Sequence, residues 1–243
     1  MTTYGLIGYP LGHSFSRKFF TEKFAKEGID AQYLNFEIPS IEEFPNIIKN
    51  NPELRGLNVT IPYKQQVMQF LDDISEEAKA IGAVNVVKVA KEGLTGYNSD
   101  VIGFVNSIKP LLKPHHKKAL ILGTGGASKA IRYGLEKKLG METLFVSRTA
   151  REGMITYEEV TAEVLKEYEV IVNCSPVGMY PHVDECPALP YEAMNENNLL
   201  YDLVYNPLET LFMKKGAAQG ATVKNGLEML HLQAIASWEF WEK

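Results

Sequence analysis

Only two cysteines occur among the 243 residues, Cys174 and Cys186, and they form no CxxC pair. Such usage supports neither a disulfide framework nor a thiolate zinc site, and two free buried thiols in a reducing compartment are expected. Histidine is also sparse, with five residues and no ligand-like spacing, so no metal centre is expected. The chain lacks any run of about 18 apolar residues, the length a membrane-spanning helix needs. Its first residues carry no basic region, and Gly5, Gly8 and Pro10 interrupt the apolar stretch that follows. That pattern is unlike a secretory signal, and a cytoplasmic location is expected. Positive charge is in deficit too: 25 Lys and Arg face 30 Asp and Glu, a net charge of -5. Nucleic acid and anionic membranes are therefore not expected partners, and an anionic ligand would need donors gathered locally. No Gly-x-Ser-x-Gly elbow is present, which argues against a serine hydrolase. Internal repeats and low-complexity tracts are absent.

What the chain has is alternation. Tyr4 to Gly8, Tyr33 to Ile38, Gly56 to Ile61 and Val84 to Val89 read as strands. Ser16 to Lys26 carries Phe19, Phe20 and Phe24 at helical spacing, and Ile41 to Lys49 repeats Ile41, Phe44, Ile47 and Ile48. Pro62 is placed to open another helix. Alternation of this kind predicts a mainly parallel sheet with helices on its faces. The stretch from Pro110 to Lys118 reads as a linker or surface loop, with His115 and His116 as solvated residues. The pattern then restarts: strand 119–122, a glycine turn, helix 129–139, strand 143–146, and further strands at 169–172 and 198–204. This is the layout of a doubly wound dinucleotide domain. A final amphipathic helix is expected from Gly226 to Trp241.

The turn Gly123-Thr-Gly125-Gly126-Ala127-Ser128 supplies the first two glycines of a pyrophosphate-binding turn, with Ser128 at the third position. Glycines let backbone N–H groups approach the phosphates, and the helix start adds unpaired donors and a positive dipole end. At the end of the next strand, NAD-binding domains place an acid for the ribose 2′-hydroxyl. This chain has Ser147-Arg148-Thr149 with Arg151 close by. A guanidinium there suits a 2′-phosphate, so NADP is preferred over NAD. Lys64 is expected in the first turn of a helix after a strand. A lysine is unfavourable against the dipole there, which invites a functional reading. Gly82-Ala-Val-Asn85 and Asn98-Ser99-Asp100 add amides and a carboxylate at further strand ends.

Together these residues resemble the shikimate dehydrogenases. Gly8-Tyr-Pro10-Leu-Gly-His13-Ser14-Phe-Ser16 is similar to that family's substrate-binding signature, and Asn58-Val-Thr60-Ile-Pro62-Tyr-Lys64 to its catalytic lysine motif. Gly82 to Asn85, Asn98 to Gly103, Gly123 to Ala127, Ser147 to Thr149, Asp202 to Pro207 and Gly226 to Gln233 follow in order. The resemblance spans nearly the whole chain. It implies an α/β protein of two domains: a three-layer substrate domain with a mainly parallel sheet, and a Rossmann-like NADP-binding domain. The expected boundaries are 1–100 completed by 226–243, and 101–225.

By the same resemblance, Lys64 and Asp100 form the catalytic pair. Ser14, Ser16 and Tyr205 donate to the substrate carboxylate, and Thr60, Asn85, Asp100 and Gln233 hold the ring hydroxyls. NADP is bound by Gly123, Gly125, Gly126, Ala127, Ser147, Arg148, Thr149 and Arg151, with Leu203 and Gly226 facing the nicotinamide. Cys174 is expected to pack rather than react, and Glu76 is either a cleft residue or a solvated helix glutamate. The implied reaction is reversible reduction of 3-dehydroshikimate to shikimate in aromatic amino-acid biosynthesis. Lys64 either transfers the proton or only polarises the C3 oxygen. The partners implied are small molecules, and the chain is expected to be a monomer or a homodimer. Departures from the family pattern are Arg17 in place of proline, Ser99 in place of threonine, and a shorter chain after Gln233. The rival readings are a quinate/shikimate dehydrogenase using NAD and a non-catalytic ligand sensor on the same scaffold.

Overall fold

The computed structural model describes residues 1–12 and 15–243, which form two compact units. The first contains Met1–Ile102 and Leu230–Lys243, and the second Gly103–Met229. Segment 110–118, expected as a linker or surface loop, lies inside the second unit and leads into its first strand.

In the first unit the elements are β1 (Thr2–Gly8), α1 (Phe15–Glu27), β2 (Ala31–Glu37), α2 (Phe44–Asn50), β3 (Leu54–Val59), β4 (Asp73–Ile74), α3 (Glu76–Ile81), β5 (Val86–Ala90) and β6 (Gly93–Tyr97). The sheet order is β2-β1-β3-β5-β6-β4. β5 runs antiparallel to both its neighbours, while β1 pairs parallel with β2 and β3, and β4 with β6. Period-two alternation sends Ile7, Leu57, Val59 and Val87 to one face, against Phe44 and Ile47 of α2. Tyr4, Leu6 and Val86 go to the other, against Phe20 and Phe24 of α1. Each of these phenylalanines is essentially buried, worth ~1.5–3 kcal/mol. Two apolar layers on one sheet make this unit three-layered.

The helix α8 (Leu227–Glu242) closes the second of these layers with Ala234 and Trp241. Trp241 donates its indole N–H to the Val87 carbonyl at 3.1 Å. Its ring lies against the strand at Gly56, where any Cβ would fall 2.4 Å from the indole. A side chain at position 56 would displace the helix from the sheet.

The second unit is entered through α4 (Asp100–Ile108) and contains β7 (Lys118–Leu122), α5 (Gly126–Tyr133), β8 (Glu142–Ser147), β9 (Met154–Thr156), α6 (Ala162–Glu167), β10 (Val170–Asn173), β11 (Leu199–Asp202), α7 (Leu211–Ala218) and β12 (Thr222–Lys224). Its six strands are all parallel, in the order β12-β11-β10-β7-β8-β9. Numbered from β7, that is the doubly wound order 3-2-1-4-5-6, whose switch point lies between β7 and β10. Leu120, Leu122, Ile171 and Leu200 pack on one face with Phe212 of α7, and Ala119, Ile121, Val170 and Val172 on the other with Ile131 of α5.

Three local expectations are corrected. Pro62 does not open a helix: residues 61–65 are turns, followed by a 3-10 segment over Gln66–Phe70. The Lys64 carbonyl accepts the Val84 N–H at 2.7 Å, so it is not available to continue a helix. The helix expected at 129–139 starts earlier, at Gly126, and widens into a π-type turn over Gly134–Lys138. That turn seats Leu135 in the core while Glu136 accepts from Arg132 at 2.8 Å and Thr143 at 2.6 Å. His116 is buried rather than solvated, with Nδ1 accepting the Lys113 N–H at 3.0 Å and Nε2 on the Asn197 carbonyl at 2.8 Å. His115 is exposed, as expected of a loop residue.

Candidate active site

The first unit gathers its polar motifs at one edge of the sheet. β1 and β3 are parallel, so the segments after Gly8 and Val59 emerge together, with Ile7 opposite Val59. β5 is antiparallel and pairs Val86 with Asn58, which brings its amino end to the same edge. Asn85 therefore precedes a strand instead of ending one. β6 pairs Tyr97 with Val86, so Asn98, Ser99 and Asp100 follow at that edge too.

Lys64 and Asp100 meet there. Lys64 Nζ donates to Asp100 Oδ2 at 2.6 Å, with the side chains 16% and 5% exposed. Asp100 opens α4, where a carboxylate is favoured by the helix dipole. The lysine has three donors and spends one on Asp100, so a ligand oxygen beside it can be engaged without breaking the pair.

Asn85 is fixed by Ser99. Its Oδ1 accepts the Ser99 N–H at 2.7 Å and its Nδ2 donates to Ser99 Oγ at 3.1 Å. One amide hydrogen remains for a ligand among the bonds described. Asn98 holds the strand end, donating to the Ala83 carbonyl at 2.9 Å and accepting the Val101 N–H at 3.3 Å. Thr60 is half-buried at the end of β3, its main chain tied to Ile7 and Tyr63. Gln233 is half-buried on α8. Ser16 and Arg17 lie in the first turn of α1, and burial raises the Tyr33 phenol while a hydrogen bond from Ser16 opposes that rise. Ser14 lies outside the described residues.

A buried polar relay missed in the sequence links these positions. Tyr33 donates to Asn58 Oδ1 at 2.8 Å, and Asn58 Nδ2 donates to Ser237 Oγ at 2.9 Å. Ser237 donates in turn to the Gln233 carbonyl at 2.8 Å and lies 3.3 Å from Ser99 Oγ. Ser237 stands four residues after Gln233 on one helix face, a spacing that could have identified it. Tyr33 carried no such signal, since its partner is 25 residues away in sequence.

In the second unit the glycine turn follows β7 at the switch point. Gly123 adopts φ +95°, a conformation side chains resist. At Gly125 and Gly126 an added Cβ would meet nothing within 4 Å, and Gly125 has φ -73°. The fold itself does not demand glycine at those two positions; close approach of a ligand to the backbone would. Gly125 gives α5 no side-chain cap, which leaves first-turn N–H groups open to an anion. Ala127 follows half-buried in the same turn of helix. Ser147 is buried at the end of β8 and accepts the Thr149 N–H at 3.3 Å, while Arg148, Thr149 and Arg151 are exposed beyond it. These features fit a nucleotide carrying a 2′-phosphate.

Leu203 follows β11, and Gly226 follows β12. A Cβ on Gly226 would lie 2.2 Å from the Leu203 carbonyl oxygen, so the two backbones touch. Tyr205 is half-buried in the same loop, in the second unit, whereas the other expected substrate contacts are in the first. Burial pushes the Cys174 thiol well up, which makes it a poor nucleophile. Cys174 and Cys186 are both free, and as residues they are half-buried instead of buried as expected. Glu76 is exposed at the start of α3 and accepts from Lys79 at 2.9 Å. Among the described residues no group of three His, Cys, Asp or Glu could hold a metal ion, and no helix is long and apolar enough to cross a membrane.

Comparison with known proteins bears on the family and the fold. Residues 6–87 match the family model of the shikimate dehydrogenase substrate binding domain. The shikimate dehydrogenase (NADP(+)) of Carboxydothermus hydrogenoformans is 37% identical over 98% of this chain and 90% of its own. Among solved structures, a chorismate mutase/shikimate 5-dehydrogenase fusion protein from Clostridium acetobutylicum superposes with a TM-score of 0.87. It is 38% identical and is matched over 99% of this chain and 90% of that one. The shikimate 5-dehydrogenase of Thermus thermophilus, solved with NADP(H) and shikimate, gives a TM-score of 0.86 at 32% identity, over 99% of this chain and 93% of that one. With relatives above 30% identity aligned along almost its full length, the chain belongs to the shikimate dehydrogenase family.

Proposed function

We propose that the chain catalyses the reversible, NADP-dependent reduction of 3-dehydroshikimate to shikimate, the third-position ketone becoming an alcohol. The observation that carries this reading is the 2.6 Å Lys64–Asp100 pair at the polar edge of the first unit. The first unit holds the substrate and the second the cofactor. NADP, when bound, supplies the hydride acceptor for the alcohol or, reduced, the hydride donor for the ketone. Gly123, Gly125, Gly126 and Ala127 would cradle its pyrophosphate, and Ser147, Arg148, Thr149 and Arg151 its 2′-phosphate. Leu203 and Gly226 would border the nicotinamide.

The chain's own residues bind, orient and move the proton. Ser16, at the start of α1 where an anion is favoured, donates to the substrate carboxylate, and Ser14 does so by its motif alone. Thr60, Asn85, Asp100 and Gln233 pair with the ring hydroxyls, so an analogue lacking one leaves a buried group unpaired. Lys64 holds the C3 oxygen. In the reductive direction its ammonium gives that oxygen a proton, and in the oxidative direction the amine takes the proton back. Asp100 accepts one of the three Lys64 donors at 2.6 Å and so fixes the direction of the others. Such acid–base help is worth roughly 10² to 10⁴ in rate. The role of Tyr205 at the substrate carboxylate rests on its motif alone. The two free thiols support a reducing compartment, and we place the enzyme in the cytoplasm.

The test is the absorbance of reduced nicotinamide with shikimate or quinate, each paired with NADP or NAD. Light scattering on the same sample distinguishes monomer from homodimer. Turnover confined to shikimate with NADP is expected. Turnover with quinate and NAD moves the assignment to the quinate/shikimate class, and shikimate binding without turnover makes the protein a sensor.

A further inference from the structure

Asp202 ends β11 and is fully buried, yet none of the ion pairs among the described residues includes it. An ionised carboxylate without a cation is costly inside a protein. Three donors converge on it. Oδ1 accepts from Asn173 Nδ2 at 3.0 Å and from the Val204 N–H at 3.0 Å, and Oδ2 accepts from Thr210 Oγ1 at 2.6 Å.

Each donor belongs to a different part of the same edge. Asn173 ends β10, shapes the following loop by accepting from Ser175, and takes the Leu203 N–H on its main-chain oxygen at 3.0 Å. Val204 follows Leu203 and accepts the Gly226 N–H at 3.2 Å. Thr210 caps α7 through the Met213 N–H. The carboxylate therefore joins the ends of β10 and β11 and the start of α7, and through Val204 it reaches the strand end carrying Gly226. A neutral acceptor would close the same bonds. A charged one closes them about twice as strongly, which favours precise placement over stability. The burial raises the carboxyl to about 6, so near neutral pH the ionised form prevails despite its cost.

We propose that Asp202 is a positioning residue for hydride transfer: it sets the Leu203 and Gly226 backbones that border the nicotinamide, and touches neither substrate nor cofactor. This rests on the functional reading above, specifically on the roles of Leu203 and Gly226. Asp202→Asn keeps the side chain's size and removes the charge that tightens the three bonds, so the loops they join can shift. Its amide oxygen accepts from Asn173 and Val204, and its amide nitrogen donates to Thr210 after that hydroxyl turns round.

The experiment compares the full-length wild type with Asp202→Asn in kcat, in the isotope effect of shikimate deuterated at C3, and in the Kd of adenosine 2′,5′-bisphosphate. That fragment contains the adenine and 2′-phosphate but no nicotinamide. Expected are a fall in kcat of about ten- to a hundred-fold, a larger isotope effect, and an unchanged fragment Kd, because a small misplacement penalises transfer more than binding. Thr210→Val, which removes one donor, should lower kcat less, and Thr210→Ser should restore it. If Asp202→Asn fails to fold, the Thr210 pair decides. An unchanged kcat in a folded variant overturns the proposal, as does a fragment Kd weakened in step with kcat, which would mean general collapse. A wild type that binds the fragment and shikimate but turns nothing over overturns the functional reading, and this proposal with it.

Discussion

Replacing Lys64 by methionine removes the ammonium and keeps most of the side chain's bulk. Lys64 Nζ lies 2.6 Å from an Asp100 carboxylate whose side chain is only 5% exposed. The substitution therefore leaves a buried carboxylate without its counter-charge. Removing one member of a buried pair costs about 3–5 kcal/mol. The residual 16% exposure of the lysine lets some water reach the gap, which sets the expected loss at the lower end, about 3 kcal/mol. Removing both charges in Lys64→Met/Asp100→Asn leaves no orphan, so most of that stability should return. Activity should not return with it. The proposed proton donor is gone in both variants, and kcat should fall about 10² to 10⁴-fold, equal to ~3–5 kcal/mol of barrier. Urea unfolding followed by tryptophan fluorescence gives the stability, since Trp238 and Trp241, the two tryptophans, both lie in the first unit with the pair. Nicotinamide absorbance gives kcat. A double variant as unstable as Lys64→Met, or a kcat loss below about ten-fold, would refute the reasoning.

Four further outcomes are expected. Arg148→Ala should raise the KM for NADP by about ten-fold or more and leave that for NAD unchanged, as steady-state kinetics with both cofactors will show. Gly226→Ala forces a methyl group to within 2.2 Å of the Leu203 carbonyl unless the backbone moves, so a kcat loss without a change in shikimate Kd is expected by kinetics and calorimetry. Burial lowers the His116 pKa, with the charge of His115 adding to that and the Asn197 carbonyl opposing it. The unfolded chain then binds that proton more readily, so stability from this group is present above about pH 6.5 and lost as pH falls; His116→Gln should flatten that slope in urea titrations. Asp202 acts in the opposite sense. Burial raises it from 3.8 to about 6, so its contribution is present below the unfolded value and is lost as pH rises through 6, by ~3 kcal/mol in all. Asp202→Asn should lack that decline, and an identical pH profile of unfolding in the variant would count against the assignment.

The alternation of Tyr4 to Gly8 and Ala119 to Leu122, and the glycine turn after the latter, were legible because they are local. Period-two burial and the φ requirement of Gly123 act on a few neighbouring residues, and they left a readable pattern. The basic replacement at Arg148, beyond the second strand of that unit, is local as well. Lys64 drew attention through an expected helix start that the structure replaces with turns, and its pairing with Asp100 came only by resemblance; nothing in their spacing of 36 residues requires contact. The antiparallel course of β5, which carries Asn85 to the edge where β1 and β3 end, is a pairing choice that its short apolar run does not encode. Neither the turn that replaces a helix at Pro62 nor the burial of His116 is local: each depends on a carbonyl or N–H partner supplied across the fold. The same holds for the Tyr33–Asn58–Ser237 relay and the three donors around Asp202. The sequence by itself determined the locally encoded elements, such as the strands at Tyr4 to Gly8 and Ala119 to Leu122 and the glycine turn, and which chemical groups are present. The tertiary structure decided which of those groups meet, because hydrogen bonding and desolvation act on distances that only the folded chain sets.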